Sequence, residues 1–223
     1  MRALFFDVFG TCVDWRTSIR RELAARGLPE ALADAWRGLY QPQLDTVRRG
    51  EREWVDLDVL HREALDRLLA EHGLTVADPD ELTRAWHRLD PWPDTVPGLT
   101  ALKRGHIIAP CSNGHIALIV NMAKHAGLPW DAILGAEIAH AYKPEPDAYL
   151  RSVAALGLKP REVTMVAAHN GDLHAARAVG MRTAFVPRPT EHGPGQTTDL
   201  EPEGEWDVVA RDFLELAEKL KPA

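Results

Sequence analysis

Carboxylates, a lysine and small polar groups gather in this chain at places where an apolar run gives out. Asp7 closes the run Ala3-Leu4-Phe5-Phe6, with Phe9 two places on and Thr11 just after Gly10. Ser112 and Asn113 follow Ile107-Ile108-Ala109-Pro110-Cys111, and His169-Asn170-Gly171-Asp172 follows Thr164-Met165-Val166-Ala167-Ala168. Lys143 stands in Tyr142-Lys143-Pro144-Glu145-Pro146-Asp147-Ala148-Tyr149, just before a helix that the prolines would start. A carboxylate is a competent nucleophile toward an sp³ carbon bearing a leaving group, and an ester intermediate divides one hard hydrolysis into two easier displacements. Asp7 has the chemistry for the first step. Asp172, with Lys143 beside it, has the chemistry to position a water for the second. The lysine would also keep nearby carboxylates ionised.

These residues need a frame that brings strand tips together. The short apolar runs ending at Asp7, Cys111 and Ala168, with Thr183–Val186 and Asp207–Ala210, read as buried parallel strands. Helical stretches such as Ile116–Ala126 and Asp147–Leu156 separate them, the pattern of an α/β fold with helices on both faces of a parallel sheet. Ligands of open α/β sheets bind beyond the strands' C-terminal tips. Residues 16–90 have a different texture, with apolar residues at helical spacing over Ser18–Arg26, Glu30–Leu39, Glu53–His72 and Asp80–Leu89. Asp78-Pro79-Asp80 starts a helix, Gly27, Gly50 and Gly73 stop helices, and Pro42 interrupts the second one. The expected division is a sheet core of residues 1–15 and 91–223, with 16–90 inserted as a helical cap over the strand tips. Pro91-Trp92-Pro93 and Pro187–Gln196 read as ordinary Pro-rich connections.

Bulk properties exclude several classes. A chain of 223 residues with 45% hydrophobic content can bury a sizeable core, so disorder is not its theme. A formal net charge of −7 lacks the basic excess that nucleic-acid binding needs. No apolar run approaches a membrane span, and the first strand begins too early to leave room for a signal peptide, so a cytoplasmic location is expected. Cys12 and Cys111 read as reduced packing residues, and the ten histidines show no pairing at metal-ligand spacing.

Asp7 in FDVFGT, Ser112 in CSNG, Lys143 in YKPEPDAY and Asp172 in AAHNGD together resemble the four motifs of the haloacid dehalogenase superfamily, in order and spacing, across essentially the whole chain. The resemblance implies a Rossmann-like core with an inserted helical cap. The superfamily's phosphatases typically place a second aspartate two residues after the nucleophile to protonate the leaving alcohol; here that position is Phe9, which cannot act as an acid. The pattern is similar to the L-2-haloacid dehalogenase branch. It implies attack by Asp7 on C2 of a short anionic 2-halo acid, release of halide without metal or cofactor, and conversion of an L-2-halo acid to a D-2-hydroxy acid. Arg37, in AWRGLY, matches the family's halide-binding arginine, and Asn113 a second halide contact. Ser112 and Thr11 resemble positions that bind the substrate carboxylate or orient the nucleophile, and Tyr149 the tyrosine near the lysine. His169 and Asn170 fall within the substrate-binding set, and a homodimer is also implied. The chain departs from many members in having Ala167 at the third tip, His169 near the last aspartate and Gly171 where an aromatic residue often stands.

Each role has a plainer rival. Asp7 could cap a turn, Arg37 could lie on a solvated helix face, His169 could be a packed histidine, and Ser112 with Asn113 could be a helix N-cap. Trp36, Trp54, Trp86 and Trp92 read mainly as core, with at most one or two lining a pocket. A Mg²⁺-dependent phosphatase of the same fold with a relocated acid is the alternative activity. A catalytically silent binding protein is disfavoured by the presence of nucleophile, lysine and second acid together.

Overall fold

The computed structural model describes residues 3–221. Six parallel strands form the main sheet: β1 (Ala3–Phe6), β4 (Ile107–Ser112), β5 (Leu134–Gly135), β6 (Val163–Ala167), β7 (Arg182–Phe185) and β8 (Val208–Val209), in the order β5-β4-β1-β6-β7-β8. The chain leaves β1 for one side of the sheet and returns to its other side with β6. The strand order therefore reverses at β1, which sets the tips of β4, β1 and β6 side by side at a switch point. Strand β5, only two residues long, carries no periodic signal and is the strand of this sheet that sequence reading missed.

Both faces of β1 are buried, which is why its sequence is continuously apolar. Leu4 and Phe6 point to one layer, where they meet Leu99, Ile119 and Phe213; Ala3 and Phe5 point to the other, with Tyr149, Val153 and Leu173. The helices supplying the first layer are α6 (Thr95–Lys103), α7 (Ile116–Ala126) and α11 (Phe213–Lys219), and those supplying the second are α9 (Pro146–Ala155) and α10 (Asn170–Ala178). A short α8 (Ala136–Ala139) links β5 to the segment carrying Lys143. Pro146 opens α9 at its first helical position, as its missing N–H allows.

Helices α1 (Trp15–Ala24), α2 (Leu32–Gly38), α3 (Tyr40–Arg48), α4 (Leu57–Glu71) and α5 (Pro79–Thr83), then a 3₁₀ turn over Arg84–His87, run between two short strands. Those strands, β2 (Val13–Asp14) and β3 (Asp90–Pro91), pair antiparallel and bring the chain back to where it left. Asp14 caps α1 by accepting the Thr17 N–H at 2.9 Å, and Asp78 caps α5 by accepting that of Glu81. The break near Pro42 falls at Leu39, which leaves Pro42 in the first turn of α3, where a missing N–H costs nothing. Trp86 is the hub of this segment: it stacks on His61 (4.4 Å between centroids) and packs edge-on to Trp36 (5.5 Å) and Phe9 (6.2 Å). Phe9 belongs to the loop after β1, so this aromatic cluster ties the helices to the strand tip.

The same loop is also held by Arg188. Its guanidinium donates to the Thr11 carbonyl (2.9 Å) and grips the Asp94 carboxylate through two parallel bonds of 2.7 and 2.9 Å. Both side chains are nearly buried, so removing one leaves an uncompensated charge. Asp94→Ala is expected to cost about 3 kcal/mol, read as a lower urea midpoint at unchanged slope; a loss under about 0.5 kcal/mol, typical of an exposed pair, would contradict this.

Candidate active site

The loop after β1 turns at once, because Gly10 takes φ 85° and the Cys12 N–H returns to the Val8 carbonyl. This presents the Asp7 side chain at the tip. Lys143 Nζ lies 2.9 Å from Asp7 Oδ1 and also donates to Asp172 Oδ2. Asp7 Oδ2 accepts from the Thr11 hydroxyl (2.7 Å) and faces His169 Nδ1 (3.1 Å). Tyr149 Oη donates to Asp172 Oδ1 at 2.6 Å. Asn113 fixes the lysine's backbone by accepting its N–H at 2.7 Å and donates to Tyr40 Oη at 3.0 Å.

All of these groups but Thr11 share a cleft of about 880 Å³ between the strand tips and the inserted helices, lined also by Phe9, Trp15, Arg37 and Arg48. Arg37 sits over three rings, 4.1 Å from the Tyr40 centroid, 5.4 Å from Trp15 and 5.9 Å from Phe9, and its buried Nη1 has no hydrogen-bond partner. A guanidinium held by aromatic faces keeps its donors available for an incoming anion.

The two carboxylates are pushed apart in acidity. Burial disfavours the Asp7 anion, yet Lys143, His169 and Thr11 outweigh it and hold its carboxyl well below the usual range. For Asp172, burial and the Asp7 charge prevail over Lys143, and its proton affinity is raised. Burial opposes the Lys143 charge too, but Asp172 and Asp7 keep the ammonium protonated. One anion ready to attack and a second better able to take a proton is the division of labour expected of a nucleophile and a base.

A haloacid dehalogenase-like hydrolase family model matches residues 1–180. The chain belongs to that family. It is 31% identical to the (S)-2-haloacid dehalogenase of Xanthobacter autotrophicus, covering 84% of this chain and 76% of the relative. Among solved structures it is similar to a defluorinating L-2-haloacid dehalogenase at 53% identity (99% of this chain, 95% of that one, TM-score 0.95). A second L-2-haloacid dehalogenase structure is 49% identical (99% and 100% covered, TM-score 0.96).

In this hydrolase the cleft gathers Asp7, Lys143, Asp172, Tyr149, Asn113, His169 and Arg37, and leaves other sequence candidates outside it. Asn170 is a correction: its amide donates to Asp199 and the Glu201 carbonyl and accepts from Glu203 N–H and Trp206 Nε1, so the residue secures the 199–206 loop and has nothing left for a substrate. Ser112 is fully buried off the cleft wall, its Oγ accepting the Gly114 N–H, so it shapes the turn after β4. Thr11 is buried behind Asp7 and acts on that carboxylate, away from any direct contact with the substrate carboxylate. Trp36 and Trp86 are core, Trp54 and Trp92 are also off the cleft, and the tryptophan that lines it is Trp15. Burial raises both thiols, that of Cys111 to about 12, consistent with packing residues.

Two groupings escaped sequence reading. Glu191 lies in the stretch taken for an ordinary connection, yet is 1% exposed, with Trp15 Nε1 3.0 Å from Oε1 and His169 Nε2 2.8 Å from Oε2. Histidines also gather after all: His87 Nε2 lies 2.9 Å and His115 Nε2 3.6 Å from the Asp58 carboxylate, with one ligand-type atom of each within 4.8 Å of the others. Asp58 and His87 are 29 residues apart in sequence, a separation no spacing rule captures.

His169 thus bridges two carboxylates. Burial opposes its charge, but Glu191 and Asp7 raise its proton affinity well above the ordinary 6.5. The bound proton stabilises the fold fully below pH 6.5, where the unfolded chain also carries it, and the contribution is lost as pH rises toward the folded value. Burial notwithstanding, Glu191 is held below its ordinary 4.5 by His169, so its contribution is present above that pH and fades in acid. The stability gap between wild type and Glu191→Gln should be widest between about pH 5 and 6.5 and shrink toward pH 9. A gap that widens above pH 7 would contradict the doubly bridged imidazolium.

Proposed function

We propose that this chain hydrolyses short L-2-haloalkanoic acids to D-2-hydroxy acids and halide, or haloacetate to glycolate, through an ester on Asp7. The observation that carries this reading is the nucleophile's neighbourhood. Phe9 stands where a phosphatase would keep its second acid. The fourth motif, AAHNGD, offers Asp172 as its only carboxylate, and one oxygen of it and one of Asp7 already serve the Lys143 ammonium. Phosphoryl transfer asks for a hard oxygen cage for Mg²⁺, whereas displacement at carbon asks for a carboxylate nucleophile and a place for the leaving anion.

Asp7 attacks C2 from the face opposite the halide, with one inversion. Arg37, caged by Tyr40, Trp15 and Phe9, receives the departing halide, with the Asn113 amide lining the same cleft. Local positive groups draw an anionic substrate despite the acidic net charge. Water then attacks the ester, Asp172 takes its proton, and Lys143 protonates the leaving oxygen. Tyr149 holds Asp172 in place. Helices α1–α5 act as a cap that supplies Arg37 and excludes bulk water. A homodimer, which rests on the family resemblance, and a cytoplasmic location, which rests on the sequence, belong to the same reading.

The test is halide release from chloroacetate and L-2-chloropropionate with EDTA present. Wild type is expected to turn over, and Asp7→Asn to lose several orders of magnitude. Wild-type turnover of a phosphate ester only with added Mg²⁺, and no halide release, would replace this reading with the phosphatase.

A further inference from the structure

The two oxygens of Asp7 are not equivalent. Oδ2 receives two donors, the Thr11 hydroxyl and His169 Nδ1, while Oδ1 receives Lys143 alone. A carboxylate oxygen has two lone pairs, so Oδ2 is saturated and Oδ1 keeps one pair free. Thr11 Oγ1 accepts the Ala168 N–H at 2.9 Å, which turns its own proton toward Asp7. His169 is pinned from behind: its Nε2 faces Glu191 Oε2 at 2.8 Å, and an ionised carboxylate can only accept, so both ring nitrogens carry hydrogen. Glu191 is itself wedged against the nucleophile loop. Its Oε1 accepts from Trp15, and a Cβ on Gly10 would lie 2.0 Å from that oxygen.

We propose that Thr11 and His169 form an oxyanion hole for hydrolysis of the Asp7 ester, with Glu191 as the positioning residue that keeps the imidazolium aimed at Oδ2. The inference rests on the ester reading above and assigns the half of the reaction that the nucleophile, lysine and second acid leave open. In the first step Oδ1, the oxygen with a free pair, bonds to C2 as the carbon–halogen bond breaks and the halide leaves with its electron pair. Oδ2 becomes the ester carbonyl oxygen. Water adds to Cγ and loses a proton to Asp172, and the carbonyl electrons move onto Oδ2, where two fixed donors already point. Collapse breaks the Cγ–Oδ1 bond, and the hydroxy acid's oxygen takes a proton from Lys143. The new Asp7 carboxyl returns a proton to Lys143, and Asp172 releases its own to solvent, so one proton and one halide leave per turnover. The donors are in place before charge develops, which is what makes such an arrangement effective.

A hole of this kind speeds the second step, whereas in the first its donors only stabilise the resting Asp7 anion. Glu191→Gln removes the charge that aligns His169 and leaves one oxygen for two donors, and His169→Asn removes the imidazolium. In rapid-quench experiments with L-2-chloropropionate, each variant is expected to release one equivalent of halide in the first turnover at the wild-type rate or faster. Steady-state release should then slow about 10²-fold, the scale of one lost oxyanion donor. Intact-protein mass spectrometry should show the alkylated chain accumulating, with the group on the Asp7 peptide. A burst that slows in parallel with the steady state and no accumulated ester, in both variants, would overturn the inference while leaving the dehalogenase standing. Unchanged steady-state rates in both would overturn it equally. No halide from wild type would overturn the dehalogenase reading itself, and this inference with it.

Discussion

The site is organised by one buried ammonium between two carboxylates. Lys143 is 7% exposed, reaches both Asp7 and Asp172, and alone would be costly to bury. With two anions in contact its charge is more than compensated. Burial and the surplus negative charge raise the proton affinity of Asp172, while Asp7 stays an anion because Thr11 and His169 also serve it. On the proposed mechanism, that asymmetry separates the group that would attack carbon from the group that would take a proton from water.

Much of the surrounding structure keeps this triad dry and in register. The reversal of strand order at β1 brings Asp7, Asn113 and His169 to adjacent tips. Asn113 holds the backbone of Lys143, and Arg48, from the inserted helices, donates to the Lys143 carbonyl. Phe9 gives the loop after β1 an apolar anchor in the Trp86 cluster, so the residue that displaces a phosphatase's acid also joins helices to sheet. Glu191 and His169 add a second line of alternating charge behind Asp7. The cleft therefore holds Lys143 and His169 against partners of fixed geometry, whereas Arg37 Nη1 and Arg48 Nε are buried without one.

The parallel sheet and the three polar tips were legible because a strand buried on both faces leaves a continuous apolar run and its polar terminus stands out against it. Asp7 and Asp172 carried signals of this kind, and Lys143 was marked by the prolines that start the helix after it. Strand β5 carried no such signal, since two residues have no period, and neither did Glu191, whose burial depends on Gly10 and Trp15 far away in sequence. Asn170 misled for a related reason. An asparagine two places before Asp172 looks like a substrate contact, but its orientation follows from the 199–206 loop, which closes only in three dimensions. Asp58, His87 and His115 meet for the same reason, through packing of the inserted helices on α7. Sequence pattern thus identifies what a strand tip offers, whereas the chain's long-range returns decide which of those offers face the cleft.

The central claim is that Asp7 itself forms the bond to substrate carbon. A single turnover of L-2-chloropropionate in H₂¹⁸O, with enzyme in excess, tests it directly. The account predicts lactate whose new hydroxyl oxygen is unlabelled, because it comes from Asp7, and label recovered in the Asp7 side chain by peptide mass spectrometry. Labelled lactate in that first turnover, with Asp7 unlabelled, would mean that water attacks the carbon directly and would contradict the account.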